Sequence, residues 1–149
     1  MKIKAATKKD LKKIVELDRK ICIDSEKFDP LIKAGKFERR NVRELFKMKN
    51  SKVFFAMEDE KVTGYVLGWI EKKLIYNNVP AGFVSDVFVE RKYRNNGIGK
   101  ALMKEMMKWF KEKGARYGEL HVYTGNKKAQ KLYTNLGFKE YDKVMRLKI

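Results

Sequence analysis

The sequence predicts an α/β (α+β) domain with a mixed central β-sheet flanked by helices. First, short apolar segments bounded by turn residues alternate with helical apolar patterns. Second, two strand–helix–strand crossovers are expected in the second half of the chain; these require parallel strand pairs, whereas the earlier hairpins require antiparallel ones. Third, 149 residues is the length of one domain, and no repeat or linker divides the chain. We therefore expect a single domain over residues 1–149.

The first half of the chain is predicted to form a strand, two helices and a hairpin. These five elements are expected at 3–5, 11–22, 42–46, 53–57 and 62–70. Thr7 and Asp10 stand three residues apart just before the first helical pattern, which is typical of a capping box.

The second half is predicted to contain three strands separated by two helices. The elements are expected at 83–89, 98–110, 120–123, 126–136 and 138–149. Asn126 is a suitable N-cap for the shorter helix. Gly114 and Gly137 are placed to end the two helices in the left-handed conformation.

Composition limits the classes of protein that fit. The single cysteine, Cys22, excludes an internal disulfide and a multi-cysteine metal site, and we expect no metal. No apolar stretch approaches the roughly 18 residues of a membrane span, and the N-terminus lacks a signal-peptide pattern. We expect a cytoplasmic protein with no membrane partner.

The charge is strongly positive. Lys plus Arg is 36 and Asp plus Glu is 19, which gives +17. Such a balance is compatible with a basic nucleic-acid-binding module. The lysines are dispersed and form no block of five or more, however, which favours a solvated surface. We expect no specific nucleic-acid partner.

The segment from Val84 to Lys100 carries the main functional pattern. An apolar strand enters a glycine-containing loop, R-N-N-G-I-G, that opens directly into the amphipathic helix. A helix start offers unpaired N–H groups and a partial positive charge to phosphate, and Arg94 and Lys100 add cationic charge. Gly97 and Gly99 allow a ligand to approach the backbone closely. The loop lacks the first glycine of the Rossmann fingerprint and the G-K-S/T of a P-loop. By itself it is also compatible with an ordinary strand-to-helix turn.

A second motif, N-x-x-A-x-x-L-Y-x-x-L-G-F over residues 126–138, favours a ligand-binding role for the loop over an ordinary turn. Together, the two motifs and their spacing resemble the GNAT superfamily of acyl-CoA-dependent N-acyltransferases, whose pyrophosphate motif is Q/R-x-x-G-x-G/A. The likeness also covers the opening of the chain and the order of its strands. It is specific from about residue 53 to 140 and weak over 24–50.

The resemblance implies acetyl-CoA as cosubstrate and a set of positions that hold it. The pantetheine arm and acetyl group should face the backbone of one strand, and the pyrophosphate should meet the N–H groups of the loop. Asn126 should support the cofactor, and Tyr133 should lie near the thioester sulfur as general acid. The implied cofactor-binding residues are Val87, Phe88, Val89, Arg94, Asn95, Asn96, Gly97, Ile98, Gly99, Lys100, Asn126 and Tyr133.

Two residues are candidates for the general base, whereas the resemblance implies one general acid. Many relatives carry Glu at the position of Ser85. The nearest carboxylate here is Asp86, which strand alternation can direct to the other face of the sheet. Glu119, on the next strand, is a second candidate. The only histidine, His121, lies between Leu120 and Val122 and is better explained as a strand residue than as a catalyst.

The implied reaction is direct transfer of an acetyl group from acetyl-CoA to a primary amine. We expect the amine to belong to a protein or peptide, and an acidic partner fits the positive charge. A homodimer is one possible assembly. The alternatives are the nucleic-acid-binding module and a non-catalytic acyl-CoA sensor on the same fold.

Overall fold

The computed structural model describes residues 1–32, 40–73 and 77–149, without the side chains of residues 40, 41 and 45. Within these described residues, nine strands and α-helices follow one another: β1 (Lys2–Ala5), α1 (Leu11–Ser25), α2 (Arg40–Lys47), β2 (Ser51–Glu58), β3 (Lys61–Lys72), β4 (Pro80–Val89), α3 (Ile98–Glu112), β5 (Tyr117–Leu120) and α4 (Lys127–Thr134). Short 3-10 turns precede α1 and follow β4.

The strands form one mixed sheet in the order β1-β2-β3-β4-β5. Neighbouring strands from β1 to β4 are antiparallel, and β4 pairs with β5 in parallel. This parallel pair is joined through α3, as a strand–helix–strand crossover requires. The expected mixed sheet with flanking helices is confirmed.

Two apolar clusters cover the two faces of the sheet. On one face, α3 packs Leu102, Met103 and Met106 against alternate residues of the central strands. On the other, α1 and α2 contribute Ile14, Leu17 and Val42 to a second cluster. We call these the α3 face and the α1/α2 face.

Local signals set the helix ends. The carboxylate of Asp10 accepts a hydrogen bond from the Thr7 backbone N–H (2.7 Å) and thus closes the turn before α1. The Asn126 side chain accepts from the N–H of Ala129 (3.2 Å) and caps α4. Gly114 and Gly137 adopt φ of +78° and +93°, as expected for residues that end helices.

Two predicted strands are wrong. β5 occupies Tyr117–Leu120 rather than 120–123, because β4 and β5 separate after their pairing at Val84 and Leu120. Residues 138–149 form no strand in the described structure, so the second predicted crossover is absent. This tail is instead tied to the domain through the guanidinium of Arg146, which donates two hydrogen bonds of 3.0 Å to Asp29. Beyond Phe138, its large apolar side chains are exposed: Tyr141, Val144, Met145, Leu147 and Ile149.

Candidate active site

The site is built around a fork between two parallel strands. β4 pairs with β5 only from Ala81 to Val84, but it pairs with β3 along its whole length to Val89. Among the described strands, none pairs with the β5-side edge of residues 85–89. Backbone N–H and C=O groups along such an edge can hydrogen-bond an extended ligand that enters the fork.

A β-bulge at the mouth of the fork sets the direction of the β4 side chains. Leu67 of β3 is opposite Asp86, and Gly68 is opposite Val84, so Ser85 is the extra residue on β4. Beyond it, Val87 and Val89 pack on the α3 face, and Phe88 packs on the α1/α2 face. Alternation therefore places Asp86 on the same face as Phe88.

Two of the predicted catalytic residues, Asp86 and Tyr133, interact electrostatically. Asp86 is only 4% exposed. Burial raises the pKa of Tyr133 to about 12, and the negative charge of Asp86 adds to this rise. A phenol with this pKa stays protonated at neutral pH and remains a hydrogen-bond donor.

The Tyr133 ring is held by α4 and by the residues that follow it. It meets Phe138 edge to face, with the ring centroids 6.0 Å apart, and packs with Leu136 against the α3-face cluster. The N–H of Phe138 donates to the Tyr133 carbonyl (3.0 Å), so the chain after α4 folds back on the ring. The L-Y-x-x-L-G-F pattern thus has a structural reason in addition to the role implied for its tyrosine.

The loop between β4 and α3 has the backbone expected of a phosphate-binding turn. Gly97 caps α3 in the left-handed conformation with φ +76°, and Asn95 also has positive φ, +67°. Asn95, Asn96 and Lys100 are exposed, whereas the side chain of Ile98 is buried under the loop. A Cβ on Gly99 would come within 3.3 Å of the Leu132 side chain, so this glycine also allows α4 to pack closely.

Arg94, which was predicted to bind the cofactor, forms hydrogen bonds within the protein. Its Nε donates to the Val89 carbonyl (2.8 Å), and its Nη2 is paired with the carboxylate of Asp24 on α1. Arg91 donates to the same carboxylate (2.7 Å). Burial acts to raise the pKa of Asp24, but the hydrogen bonds from Arg91 and Arg94 outweigh it, and the pKa is lowered. Sequence reasoning missed Asp24, because no motif links α1 to the loop.

A cleft of about 390 Å³ lies where α1 meets the end of β4. Phe88 and Ile23 give it an apolar lining, and Lys20 and Arg91 stand at its polar side. Lys20 also donates to Glu90 (2.5 Å), a second contact between α1 and the segment after β4. Helix α1 therefore forms a wall beside the loop that the sequence motifs alone did not predict.

The other candidate base, Glu119, belongs to a separate group of residues. Its carboxylate is paired with the ammonium of Lys73, which also lies 3.2 Å from Glu71. Hydrogen bonding to Glu119 is the main reason that the pKa of Lys73 is raised. On the sheet, Glu119 lies opposite Phe83, three residues before Asp86.

The described residues offer neither a cluster of metal ligands nor a membrane-spanning helix. They hold no group of three or more His, Cys, Asp or Glu side chains that could bind a metal ion. Within the same part of the chain, each helix is too short or too polar to cross a membrane.

Comparison with known proteins gives the family. The sequence model of the Acetyltransferase (GNAT) family matches residues 14–138, which include both motifs, the fork and Tyr133. The chain belongs to the GNAT acetyltransferase family. The resemblance predicted from the two motifs is thereby confirmed.

Curated GNAT relatives match most of this chain but less of their own length. An uncharacterized N-acetyltransferase of Methanocaldococcus jannaschii is 30% identical over 95% of this chain and 62% of its own length. A protein of Sulfurisphaera tokodaii named N-alpha-acetyltransferase is 38% identical over 62% of this chain and 59% of its own. The chain thus spans about three fifths of the length of these relatives.

Solved structures confirm the GNAT-like fold. A Pyrococcus furiosus protein superimposes with a TM-score of 0.83 at 27% identity, covering 99% of both chains. An aminoglycoside N-acetyltransferase, AAC(6')-Iy, solved in complex with CoA, superimposes with a TM-score of 0.75 at 22% identity, covering 99% of this chain and 93% of its own. The names of the aminoglycoside N-acetyltransferase and of the S. tokodaii relative point to different acceptors, so membership of the family does not define the acceptor.

Proposed function

We propose that this chain is an acetyl-CoA-dependent N-acetyltransferase whose acceptor is a primary amine of a protein or peptide. The observation that carries the proposal is the fork: the β5-side edge of residues 85–89 is followed, after a short 3-10 turn, by a left-handed glycine turn at the start of α3. An extended acyl chain that ends in a pyrophosphate needs this combination of a backbone edge and a helix N-terminus.

The residues present fit such a cosubstrate. The backbone of residues 87–89 would hydrogen-bond the pantetheine arm, and the N–H groups of residues 95–100 would meet the pyrophosphate. Lys100 supplies positive charge on the first turn of α3. In this proposal Arg94 acts chiefly by holding the loop, because its guanidinium already contacts Val89 and Asp24. Asn126 acts by capping the helix that carries Tyr133.

We assign the general base to Asp86 and the general acid to Tyr133. The amine would attack the thioester carbonyl and lose a proton to Asp86, either directly or through water, while Tyr133 donates toward the departing sulfur. The two roles support each other. When Asp86 accepts a proton it loses the negative charge that helps to raise the pKa of Tyr133, so the phenol becomes a better donor as the amine reacts.

The chemistry of the nucleophile favours an α-amino group. The neutral amine is the reactive form. Deprotonation of a lysine with pKa about 10.4 costs roughly 4.6 kcal/mol at pH 7. An α-amino group with pKa near 8 needs only about 1.4 kcal/mol. This chain has Ser85 where many relatives carry Glu. Its site is therefore better matched to an α-amino group, which is more easily deprotonated than a lysine. The name of the S. tokodaii relative is in line with this choice.

A turnover screen with acetyl-CoA tests the proposal. The acceptors would be peptides with free N-termini, the same peptides with blocked N-termini and internal lysines, polyamines, amino acids and aminoglycosides. We expect the free N-termini to be acetylated fastest, and calorimetry in EDTA to give saturable acetyl-CoA binding. Binding without turnover of any amine would favour the acyl-CoA sensor, and the absence of binding would refute the proposal.

A further inference from the structure

A row of aromatic side chains crosses the sheet just before the fork. Trp69 of β3 is opposite Phe83 of β4, with ring centroids 4.8 Å apart. Phe83 in turn meets His121 edge to face at 5.2 Å. We call Trp69, Phe83 and His121 the aromatic row.

The aromatic row lies on the α1/α2 face, outside both apolar cores. Added Cβ atoms on Gly68 and Gly82 would strike Met106 and Phe110 of α3, so these glycines face α3 and their neighbours Trp69 and Phe83 face the opposite side. Neither aromatic residue belongs to either core cluster, and both are partly exposed. This is also the face toward which alternation directs Asp86. The aromatic row therefore lies on the face from which an acceptor would reach the proposed base, Asp86.

Two carboxylates adjoin the aromatic row and already bind a primary ammonium. Lys73 Nζ is paired with Glu119 and lies 3.2 Å from Glu71, whose carboxylate also accepts from the indole N–H of Trp69 (3.2 Å). The side chains of Glu71, Lys73 and Glu119 are 27–34% exposed, so this group is open to solvent. Two carboxylates against one ammonium leave a local negative charge on a chain whose net charge is +17.

The distance from this group to the reacting centre suits a short stretch of peptide. Phe83, which is opposite Glu119, precedes Val87 by four residues, or roughly 13 Å at the rise of a strand. Two residues of extended peptide cover about 7 Å from an α-amino group, and a lysine or arginine side chain covers the remainder.

We infer that the aromatic row, with Glu71 and Glu119, selects peptide acceptors that carry Lys or Arg at their second or third position. The aromatic faces attract a cation, and the carboxylates provide charge-assisted hydrogen bonds. A partner that is acidic overall but basic near its N-terminus fits both the general field of the protein and this local group. The inference rests on the proposed function and names the substrate class of that same site.

The test compares kcat/KM for peptides that are identical except for Lys, Gln or Glu at positions 2 and 3. We expect the Lys peptide to exceed the Gln peptide by about tenfold and the Glu peptide to be the slowest. In Glu119→Gln the Lys-to-Gln ratio should fall to near two, and in Glu119→Lys the Glu peptide should overtake the Lys peptide. Glu112→Gln is the matched control: Glu112 is an exposed residue at the end of α3, and the ratio should be retained.

The ratio separates selectivity from the other roles of Glu119. If Glu119 were the general base, Glu119→Gln would slow all three peptides equally and keep the ratio, which would overturn the inference. Equal rates for the three peptides with the unmodified protein would overturn it as well. Thermal melting and acetyl-CoA affinity identify a variant that merely fails to fold. If no peptide is acetylated while polyamines or aminoglycosides are, the proposed function fails, and this inference fails with it.

Discussion

Replacement of Tyr133 by Phe removes one hydroxyl and keeps the ring. The ring contacts with Phe138 and the α3-face cluster should survive, so the fold and the acetyl-CoA affinity should change little. General acid assistance is typically worth about 10²–10⁴-fold. Because the raised pKa of Tyr133 makes it a weaker acid, we place the expected loss in the lower half of that range, about 10²–10³-fold or roughly 3–4 kcal/mol of transition-state stabilisation.

Rapid-quench single turnover with an identified acceptor measures this loss without interference from product release. The matched control is Tyr117→Phe, since Tyr117 is 64% exposed on β5 and should not affect the rate. A Tyr133→Phe enzyme that acetylates at the wild-type single-turnover rate would show that Tyr133 is a packing residue and that the leaving sulfur takes its proton from elsewhere.

The pH dependence of the same step gives a second check. An ordinary tyrosine ionises near pH 10, but with a pKa of about 12 Tyr133 stays protonated well above that. The single-turnover rate should rise as the acceptor amine becomes neutral and then stay level to about pH 11. A fall that begins near pH 10 and disappears in Tyr133→Phe would contradict the assigned pKa.

Three further predictions concern the loop and the charge. Gly97→Ala and Gly114→Ala place a Cβ at similar positive φ in open space, so each should lower the free energy of unfolding by about 1–2 kcal/mol, whereas only Gly97→Ala should weaken acetyl-CoA binding in calorimetry. Equal affinities would show that the turn at Gly97 is purely structural. Asp24→Asn should lower the free energy of unfolding by about 0.2–1 kcal/mol at neutral pH, because the pair with Arg91 and Arg94 is part-exposed. Since the pKa of Asp24 is lowered in the fold, this contribution is present above pH 4 and is lost as the pH falls through the folded pKa, which urea unfolding over a series of pH values from 7 downward would measure. A cost that does not decrease anywhere as the pH is lowered would contradict this account. Duplex DNA should bind weakly and lose affinity steeply between 50 and 200 mM salt in fluorescence anisotropy, and a sequence-selective nanomolar complex at physiological salt would favour the nucleic-acid-binding alternative.

The features that the sequence predicted well are those set by local chemistry. A cap at Asn126, a left-handed glycine at Gly114 and an apolar stripe on α3 depend on neighbouring residues, and the structure has each of them. The fork and the tie between Asp24 and Arg94 depend on residues distant in sequence, so no local pattern indicates them. The prediction of the final strand failed for a related reason: an apolar segment is compatible with a strand, but strand formation also needs pairing with another strand, and residues 138–149 pair with no strand of the described structure.

The placement of the candidate base illustrates how a small irregularity determines a site. In a regular strand Asp86 would share the face of Val84, which packs on the α3 side. The extra residue at Ser85 shifts the alternation, so Asp86 turns to the α1/α2 face while Val87 and Val89 keep to the α3 face. The same segment of β4 therefore offers its edge to the cosubstrate and a carboxylate to the acceptor side. Deleting Ser85 would remove the bulge and place Asp86 directly after Val84, where regular alternation keeps it on the α1/α2 face. The bulge therefore accommodates Ser85 in the strand without turning Asp86 away from the acceptor side.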